Sequence, residues 1–354
     1  MNKTATVFSP IYYEHDTGKG HPESSQRLRV ITEELRTGEL SKREGWCFVS
    51  PEKANIESIA TVHMPEYIKL IEAVCRCGGG LLDLQDTIVS PQSFNTALYA
   101  AGGTLKSVDI VMKRQFENAF ALVRPPGHHA GRFRALGFCV FNNVAIAAEY
   151  LLRAFKLERV AILDVDAHHG NGTQEIFYRT SKVLYTSLHE DPHEFPGTGF
   201  INETGQRKGT GFNVNIPLPF RTTDQTYLRA LDEVVVPIMR QYKPQFLLVS
   251  AGFDAHFADP VANLSLSDQG IKQIFVTAMR LASELCNRRL VCVLEGGYNL
   301  NTLGRLVAST IATMSGNGFK VKNKPLVADR KIKQQGNNAI KEAKKVQKAF
   351  WNIN

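Results

Sequence analysis

Short, unbroken apolar runs alternate with longer amphipathic segments along most of the chain. Runs of about five apolar residues without polar alternation are typical of strands that are buried on both faces. We predict a first strand within 4–13, and further strands at 119–123, 160–164, 183–188, 212–216, 246–250 and 290–294. Apolar residues at helical spacing predict helices at 65–77, 93–114, 141–156, 172–178, 224–241, 268–287 and 300–315.

This alternation of strands and helices predicts an α/β fold with a mostly parallel sheet that is covered by helices on both faces. Length alone allows one large domain or two smaller ones. No repeat, linker or shift of composition precedes residue 316, so we expect one domain over 1–316 and a C-terminal tail over 317–354. Ligands of such sheets bind beyond the carboxyl ends of the strands, which directs attention to the loops that follow them.

The net charge of +8 comes from the end of the chain. Residues 320–354 contain ten Lys or Arg and two acids, whereas the rest of the chain is balanced, so a basic surface on the main domain is not expected. No apolar run approaches the roughly 20 residues of a membrane helix, and the N-terminus lacks the layout of a signal peptide. We expect a cytoplasmic protein without a membrane span, with six reduced cysteines and with nuclear entry left open.

The stretch VAILDVDAHHGNG, residues 160–172, passes from an apolar run directly into acids, imidazoles and glycines. Because side chains alternate along a strand, Asp164, Asp166 and His168 point to one side. Asp166 and His168 are candidate metal ligands, and Asp254, after the strand at 246–250, is the candidate third. Two carboxylates and one imidazole suit a catalytic Zn²⁺ that keeps a water. The alternative is that these side chains only bind the backbone of their loops.

Two further loops carry candidate catalytic residues. His128 and His129 follow the rigid segment 125–127, and a neutral imidazole can take a proton from a metal-bound water and return it to a leaving amine. The pattern does not distinguish which of the two is the base. Tyr298 follows two glycines that permit a sharp turn, and its hydroxyl suits a developing oxyanion. Structural hydrogen bonding and ordinary packing are the alternatives for these loops.

The chain resembles the zinc-dependent histone deacetylase superfamily, and within it most closely the class II and bacterial histone deacetylase-like amidohydrolases, which are relatives of the acetylpolyamine amidohydrolases. The resemblance rests on six motifs in the family's order: RPPGHHA, GFCVFNNVAIAA, DVDAHHGNGTQ, LHEDPHEFPGTG, SAGFDAH and EGGYNL. It extends over residues 6–315. It implies the arginase/deacetylase fold, with an eight-stranded, mostly parallel sheet flanked by helices.

The resemblance implies a ligand set and a proton-transfer pair. Asp166, His168 and Asp254 match the zinc ligands of the family. His129 matches the general base and acid, and Asn171 matches its partner, where class I members carry Asp. Because Asn bears no formal charge, it should stabilise the His129 imidazolium less than Asp does.

The same resemblance implies roles for three other side chains. His128 matches the histidine that pairs with the buried Asp164, and Tyr298 matches the tyrosine that polarises the carbonyl. In the implied mechanism, His129 takes the proton of the attacking water and protonates the departing amine, while Tyr298 stabilises the oxyanion beside the metal. Some branches of the family carry His at the tyrosine position and are poor deacetylases, so Tyr298 favours activity.

Further positions match the substrate channel and two structural sites for K⁺ or Na⁺ in the family. Phe138 and Phe195 would form aromatic walls around a lysyl-like stem, and the carbonyl of Gly137 would accept the scissile amide N–H. The first cation site would use Asp164, Asp166, His168, Ser187 and Leu188. The second would use Phe177, Thr180, Val183 and Phe212.

The implied substrate is an acetylated or short-acylated lysine in a protein or peptide. Polyamine-selective relatives carry an acid directly after an Asp-Pro pair, where Val261 stands here, and an apolar residue does not attract a second ammonium. Deacetylation of acetylpolyamines or other small acyl-amines is the alternative. Arginase-type chemistry with two Mn²⁺ would need Asp at Gly170, and a non-catalytic acyl-lysine binder would be expected to lack Tyr298 or a zinc ligand.

The tail has two parts. Residues 319–334 are basic and predicted to be irregular, whereas 338–351 contain helix formers with Ile340, Ala343, Val346 and Phe350 on one face. One interpretation is a helix docked on the domain through this face. The other is a basic arm for an acidic partner, nucleic acid or a membrane surface. The sequence leaves the oligomeric state, the physiological substrate and the acyl length open.

Overall fold

The computed structural model of the chain describes residues 3–83, 85–322 and 325–353. Ten strands lie within these ranges: β1 Thr4–Val7, β2 Trp46–Val49, β3 Gly80–Leu81, β4 Ile88–Val89, β5 Asn118–Ala121, β6 Val160–Asp164, β7 Val183–Glu190, β8 Asn213–Leu218, β9 Phe246–Ala251 and β10 Leu290–Leu294. Eight of these described strands form one sheet in the order β2-β1-β5-β10-β9-β6-β7-β8. The remaining two, β3 and β4, form a separate antiparallel hairpin.

The predicted α/β class is confirmed, and the sheet is more regular than expected, because all its described strand pairs are parallel. Every residue of the central strands β6, β9 and β10 is buried, which explains their unbroken apolar character. Since these strands are neighbours and point the same way, the loops that follow them meet at one edge of the sheet.

Helices flank the sheet. They are α1 Ser25–Thr37, α2 Ile56–Ala60, α3 Pro65–Arg76, α4 Ser93–Met112, α5 Asn143–Arg153, α6 Asn171–Phe177, α7 Asp224–Ala230, α8 Val236–Tyr242, α9 Asp268–Leu285, α10 Leu300–Ser315 and α11 Arg330–Gln347. A π-helical turn, Leu231–Val235, joins α7 to α8, so the helix predicted at 224–241 is continuous. Among the described residues, no helix combines the length and the apolar character needed to cross a membrane.

The sequence prediction missed the edge of the sheet. Strand β2 was not predicted, although its sequence WCFV is an unbroken apolar run, because a run this short does not by itself distinguish a strand. Its side chains are only partly buried at the edge of the sheet, with Phe48 36% exposed. The first strand ends at Val7, earlier than the predicted range of 4–13. Ser9 then caps a 3₁₀ helix at Pro10–Glu14, since the side chain of Ser9 accepts from the backbone N–H of Ile11.

The last helix, α11, packs against α7, the π-helical turn and β8. It begins at Arg330 and ends at Gln347, so part of the segment predicted to be irregular is helical. Its buried residues are Gly336, Ile340, Ala343 and Gln347, whereas Phe350 of the predicted face is 40% exposed. After the helix, the Trp351 indole N–H donates to the carbonyl of Gly211 at 2.8 Å, so the end of the chain is also attached to the sheet domain.

A buried carboxylate between two arginines joins the N-terminal segment to the sheet. Glu23 precedes α1, Arg27 lies in α1, and Arg124 follows β5; none is more than 1% exposed. Glu23 Oε1 is 2.8 Å from Arg124 Nε and 3.1 Å from Arg27 Nη1. Burial raises the pKa of Glu23, but the two guanidinium charges outweigh burial and lower this pKa to about 2.

Replacing Glu23 is expected to destabilise the fold in a pH-dependent way. Glu23→Gln leaves Arg27 and Arg124 buried without a counter-charge, which should lower the free energy of unfolding at pH 7 by about 3–5 kcal/mol. The folded-state pKa of Glu23 lies below the unfolded value of 4.5, so its contribution is fully present above pH 4.5 and is lost as the pH falls towards 2. Denaturant unfolding should therefore show the difference between wild type and variant shrinking over this interval.

The matched control is Glu52→Gln, which removes the exposed partner of Lys106. An exposed ion pair contributes little, so we expect the control to change the free energy of unfolding by less than about 1 kcal/mol. Equal losses in both variants would contradict the assignment. So would a difference between wild type and Glu23→Gln that does not change with pH.

Candidate active site

Two carboxylates and one imidazole meet at the carboxyl edge of the sheet. Asp166 and His168 follow β6, and Asp254 follows its neighbour β9. One possible ligand atom from each side chain lies within 4.8 Å of the other two. His168 Nδ1 is 3.2 Å from Asp254 Oδ2 and 3.4 Å from Asp166 Oδ1. The structure thus brings the three candidate metal ligands together.

Glycines allow the loops to close around these carboxylates. A Cβ atom at Gly252 would overlap Asp166 Oδ2, and one at Gly296 would overlap Asp254 Oδ2. The backbone N–H of Gly296 donates to Asp166 Oδ2 at 2.8 Å, and that of Ala167 donates to Asp254 Oδ1 at 2.9 Å. Each carboxylate is therefore oriented by the main chain of a neighbouring loop.

The electrostatics of this cluster fit a divalent cation. Burial, together with the negative charge of Asp166, raises the pKa of Asp254. Burial acts on Asp166 in the same direction, but the charges of His128 and His168 outweigh it and lower the pKa of Asp166. A cation would neutralise the repulsion between the two carboxylates, and carboxylate oxygens with an imidazole nitrogen are ligands that zinc accepts.

A second group of possible ligands, His128, Cys139 and Glu295, fits a metal less well. Burial raises the pKa of the Cys139 thiol well above its usual value, which disfavours the thiolate that binds metals. Glu295 Oε2 already accepts the backbone N–H of Gly127 at 2.7 Å and that of His128 at 3.1 Å. Glu295 thus holds the histidine loop in place.

His128 and His129 lie side by side, with ring centroids 4.0 Å apart. His128 Nδ1 is 3.1 Å from Asp164 Oδ2, and His129 Nδ1 is 2.8 Å from Asn171 Oδ1. Burial lowers the pKa of His128, but Asp166 and Asp164 outweigh it and raise the pKa to about 10. Burial and the positive charge of His128 lower the pKa of His129 well below its usual value. The two rings therefore have different partners, a carboxylate for His128 and a side-chain amide for His129.

Asp164 lies behind the cluster of candidate ligands. Besides its contact with His128, it accepts a hydrogen bond from the Tyr185 hydroxyl at 3.0 Å. His169 has other partners, because its Nδ1 is 3.1 Å from Thr198 Oγ1 and its Nε2 is 3.1 Å from Gln174 Oε1. The four polar side chains of residues 164–169 thus have different roles. Asp166 and His168 are candidate metal ligands, Asp164 contacts His128, and His169 contacts Thr198.

Tyr298 lies beside the candidate ligands, in the loop between β10 and α10. Its backbone N–H donates to Asp259 Oδ2 at 2.7 Å. The guanidinium of Arg27 lies 4.8 Å from the centroid of the phenol ring, and Arg27 Nε donates to the carbonyl of Gly297 at 2.6 Å. Burial raises the pKa of Tyr298 well above its usual value, so its hydroxyl remains a hydrogen-bond donor.

Sequence reasoning missed three residues of this site, namely Arg27, Asp259 and Glu295. Glu295 directly follows the apolar run of β10, so the strand-end argument that selected Asp166 could have found it. No local signal marks Arg27, because a basic residue on an amphipathic helix is usually assigned to the exposed face. Its partners Gly297 and Glu295 are distant in sequence, and it donates to the carbonyls of both.

A narrow cavity of about 180 Å³ contains the candidate reacting groups. Its lining includes His129, His168 and Tyr298, together with Gln85, Asp86, Gly137, Phe138, Phe195 and Val261. The Phe195 ring is 5.0 Å from that of His129 and 5.8 Å from that of His168, and the Phe138 ring is 5.7 Å from that of Tyr298. The structure therefore places the four candidate channel residues around one opening.

The residues expected at the two monovalent cation sites fall in two groups. Ser187 and Leu188 lie on β7, where Ser187 is in register with Asp164 of β6. The other group lies between the end of α6 and the starts of β7 and β8, and consists of Phe177, Thr180, Val183 and Phe212. The backbone N–H of Thr180 donates to the carbonyl of Phe177 at 3.2 Å, which draws this turn together.

A family model described as the histone deacetylase domain matches residues 21–314. The chain is 42% identical over 314 residues to "Probable deacetylase" of Archaeoglobus fulgidus, which covers 88% of this chain and 86% of that protein. It is 35% identical over 347 residues to "Polyamine deacetylase HDAC10" of Danio rerio, covering 93% of this chain and 49% of that one. The crystal structure of the HDA15 HD domain matches with a TM-score of 0.88 and 31% identity, covering 99% of this chain and 95% of that one.

The metal-stripped protein is expected to bind one Zn²⁺ per chain at Asp166, His168 and Asp254. Asp254→Asn keeps the side-chain volume but removes a ligand charge, so we expect the affinity for Zn²⁺ to fall by more than about 100-fold. Competition with a chromophoric chelator measures this change. Cys139→Ser, from the second cluster, is the matched control and should keep the wild-type affinity. If Cys139→Ser lowered the affinity for Zn²⁺ and Asp254→Asn did not, the metal site would instead be the cluster of His128, Cys139 and Glu295.

Proposed function

The chain belongs to the histone deacetylase family, and from this premise we propose that it is a zinc-dependent amidohydrolase. It removes acetyl or short acyl groups from acyl-lysine side chains of proteins or peptides. One observation carries the proposal: a carboxylate–imidazole–carboxylate cluster, a histidine bonded to Asn171 and a tyrosine meet at one narrow cavity with aromatic walls.

In this proposal, Asp166, His168 and Asp254 would hold Zn²⁺, which when bound would supply Lewis-acid chemistry for a water and for the acyl carbonyl. His129 acts as the general base. Its Nδ1 is engaged with Asn171 Oδ1, which accepts, so Nδ1 carries the hydrogen and Nε2 is free to receive a proton. His129 takes a proton from the attacking water and then returns it to the leaving amine.

Two further groups assist the charge changes. Tyr298 donates its hydroxyl hydrogen to the carbonyl oxygen as negative charge develops there. Asp164 Oδ2 lies 3.1 Å from His128 Nδ1 and so orients the ring that stands 4.0 Å from that of His129.

The substrate preference follows from the cavity. Phe138 and Phe195 suit the aliphatic stem of a lysine, and the carbonyl of Gly137 suits the scissile amide N–H. Val261 at the same opening is apolar and offers no attraction to a second ammonium. We therefore favour acyl-lysine and keep acetylpolyamines and other small acyl-amines as the alternative, because one relative is named a polyamine deacetylase. A non-catalytic acyl-lysine binder is disfavoured, because Tyr298 and the three candidate ligands are present.

Other parts of the proposal concern the surroundings of the site. Structural K⁺ or Na⁺ ions would bind the two backbone-rich groups beside β7. Residues 1–316 would form the catalytic domain and 317–354 an appended tail. A cytoplasmic location agrees with the six free cysteines.

The purified protein is expected to hydrolyse acetyl-lysine peptides with a kcat/KM about 10-fold or more above that for N-acetylated polyamines. Tyr298→Phe removes only the donor to the developing oxyanion, so kcat for the peptide should fall by about 100- to 1000-fold with little change in KM. Steady-state release of acetate, measured with Zn²⁺ present, checks both expectations.

Tyr150→Phe is the matched control, because the Tyr150 hydroxyl donates to Asp109 of helix α4 and neither residue lines the cavity. It should leave kcat unchanged. Faster turnover of polyamines would reverse the substrate preference. Tight binding of acetyl-lysine peptides without any acetate release would instead support a non-catalytic binder.

We further propose that α11 presents a surface for the phosphate backbone of nucleic acid. Docking through Ile340 leaves Lys341, Lys345 and Lys348 around a cavity of about 430 Å³. Glu233 also lines this cavity, but it is paired with Arg229 at 3.0 Å and with Lys344 at 3.1 Å. Lys345 Nζ lies 3.5 Å from Glu342 Oε2 in an exposed pair, which contributes little and leaves the lysine accessible to another anion. Phosphates on this surface would gain the attraction of several lysine charges and release their counterions.

Random-sequence duplex DNA is expected to bind wild type with a strong dependence on salt. Neutralising Lys341, Lys345 and Lys348 together by Gln should reduce the slope of log K against log salt by about 2–3, as measured by fluorescence anisotropy. Replacing Lys3, Lys42 and Lys113 by Gln is the control for net charge alone. Equal effects in both triple variants, or stronger binding to an acidic peptide than to DNA, would overturn the proposal.

A further inference from the structure

We infer that Asp259 is a positioning residue for Tyr298, acting through the backbone of the loop that carries the tyrosine. The inference rests on the proposed amidohydrolase function, since it assigns a task within the same site. Asp259 lies in the loop after β9, whereas Tyr298 lies in the loop after β10. The two loops are adjacent because their strands are paired.

The loop that carries Tyr298 has little stiffness of its own. It contains two consecutive glycines, and Gly297 has a φ of +116°, a region that residues with side chains rarely adopt. Tyr298 then stands between Gly297 and Asn299, the residue that caps α10. The direction of the phenol therefore depends on contacts from outside the loop.

Two such contacts hold a single peptide group, the one between Gly297 and Tyr298. Arg27 Nε donates to its carbonyl oxygen at 2.6 Å, and Asp259 Oδ2 accepts its N–H at 2.7 Å. The carbonyl and the N–H of a trans peptide point in opposite directions. Arg27 and Asp259 therefore fix the plane of this peptide from both sides, which sets the direction of the Cα–Cβ bond of Tyr298.

The Asp259 carboxylate accepts two more backbone hydrogen bonds, from Asn299 and Val261. Asp259 Oδ2 also accepts the backbone N–H of Asn299 at 3.1 Å, which anchors the start of α10. Asp259 Oδ1 accepts the N–H of Val261 at 3.0 Å. Since Val261 lines the cavity, one side chain couples the position of the cavity wall to the position of the phenol.

Asp259→Ala is expected to lower kcat for an acetyl-lysine peptide by about 10- to 100-fold, because a displacement of about 1 Å at a reacting group has effects of this size. Asp259→Asn should recover most of the loss, since its carbonyl oxygen can still accept the N–H groups of Tyr298 and Asn299. In a Tyr298→Phe background, Asp259→Ala should lower kcat by less than about 3-fold, because the hydroxyl that it positions is already absent.

Amide hydrogen exchange gives a second readout that does not depend on activity. Exchange at residues 296–300 should become faster in Asp259→Ala and stay unchanged in Asp16→Ala. Asp16 is the matched control, because Asp16 Oδ1 accepts the N–H of Gly18 at 2.9 Å in a similar turn that does not contact Tyr298. Unchanged exchange at 296–300 in Asp259→Ala would overturn the inference.

The kcat measurements can also overturn the inference that Asp259 positions Tyr298. An equal loss of kcat from Asp259→Ala in the wild-type and Tyr298→Phe backgrounds would show that Asp259 acts on the fold rather than through the tyrosine. Failure of wild type to release acetate from any acyl-amine would instead refute the proposed function, and hydrogen exchange would then decide the role of Asp259 alone.

Discussion

Two carboxylates held together at the buried ends of neighbouring strands are the constraint on which the site depends. Asp166 and Asp254 repel each other, and burial strengthens this repulsion. The fold maintains the pair with main-chain N–H donors from Ala167 and Gly296, and His128 Nε2 lies 3.8 Å from Asp166 Oδ1. Such an arrangement requires β6, β9 and β10 to be adjacent and parallel, with glycines where the loops approach most closely.

The two histidines at the site are likewise held by residues from other segments of the chain. Asn171 orients His129, and Asp164 orients His128 from the end of β6. Glu295 holds the backbone of the loop that carries both histidines. This dependence on several strand ends keeps the side chains in a defined geometry before any ligand binds, which is what electrostatic catalysis requires.

The same polar framework links the stability of the fold to the site. Arg27 pairs with Glu23 in the buried cluster that attaches α1 to the sheet, and it also binds the carbonyl of Gly297 beside Tyr298. A change in the N-terminal segment would therefore reach the tyrosine loop through one guanidinium. The docked helix α11 lies elsewhere, against α7 and β8, so the basic surface and the cavity are separate features of the molecule.

Local pattern accounts for much of this protein. Unbroken apolar runs predicted the buried strands, because a strand covered on both faces has no exposed side, and parallel strands bring Asp166, His168 and Asp254 to one edge. The half-exposed edge strand β2 was missed, although its sequence WCFV is also an unbroken apolar run, because so short a run does not by itself distinguish a strand from other structure.

The sequence by itself determined the class of fold and the residue types at the strand ends. Only the tertiary structure decided how these residues are held. Arg27 and Gly297 are 270 positions apart, and Asp259 and Tyr298 are 39 apart, so no periodicity along the chain can reveal that they bind one another. Their contacts exist because strand pairing brings distant loops together, and the direction of each reacting side chain follows from those contacts.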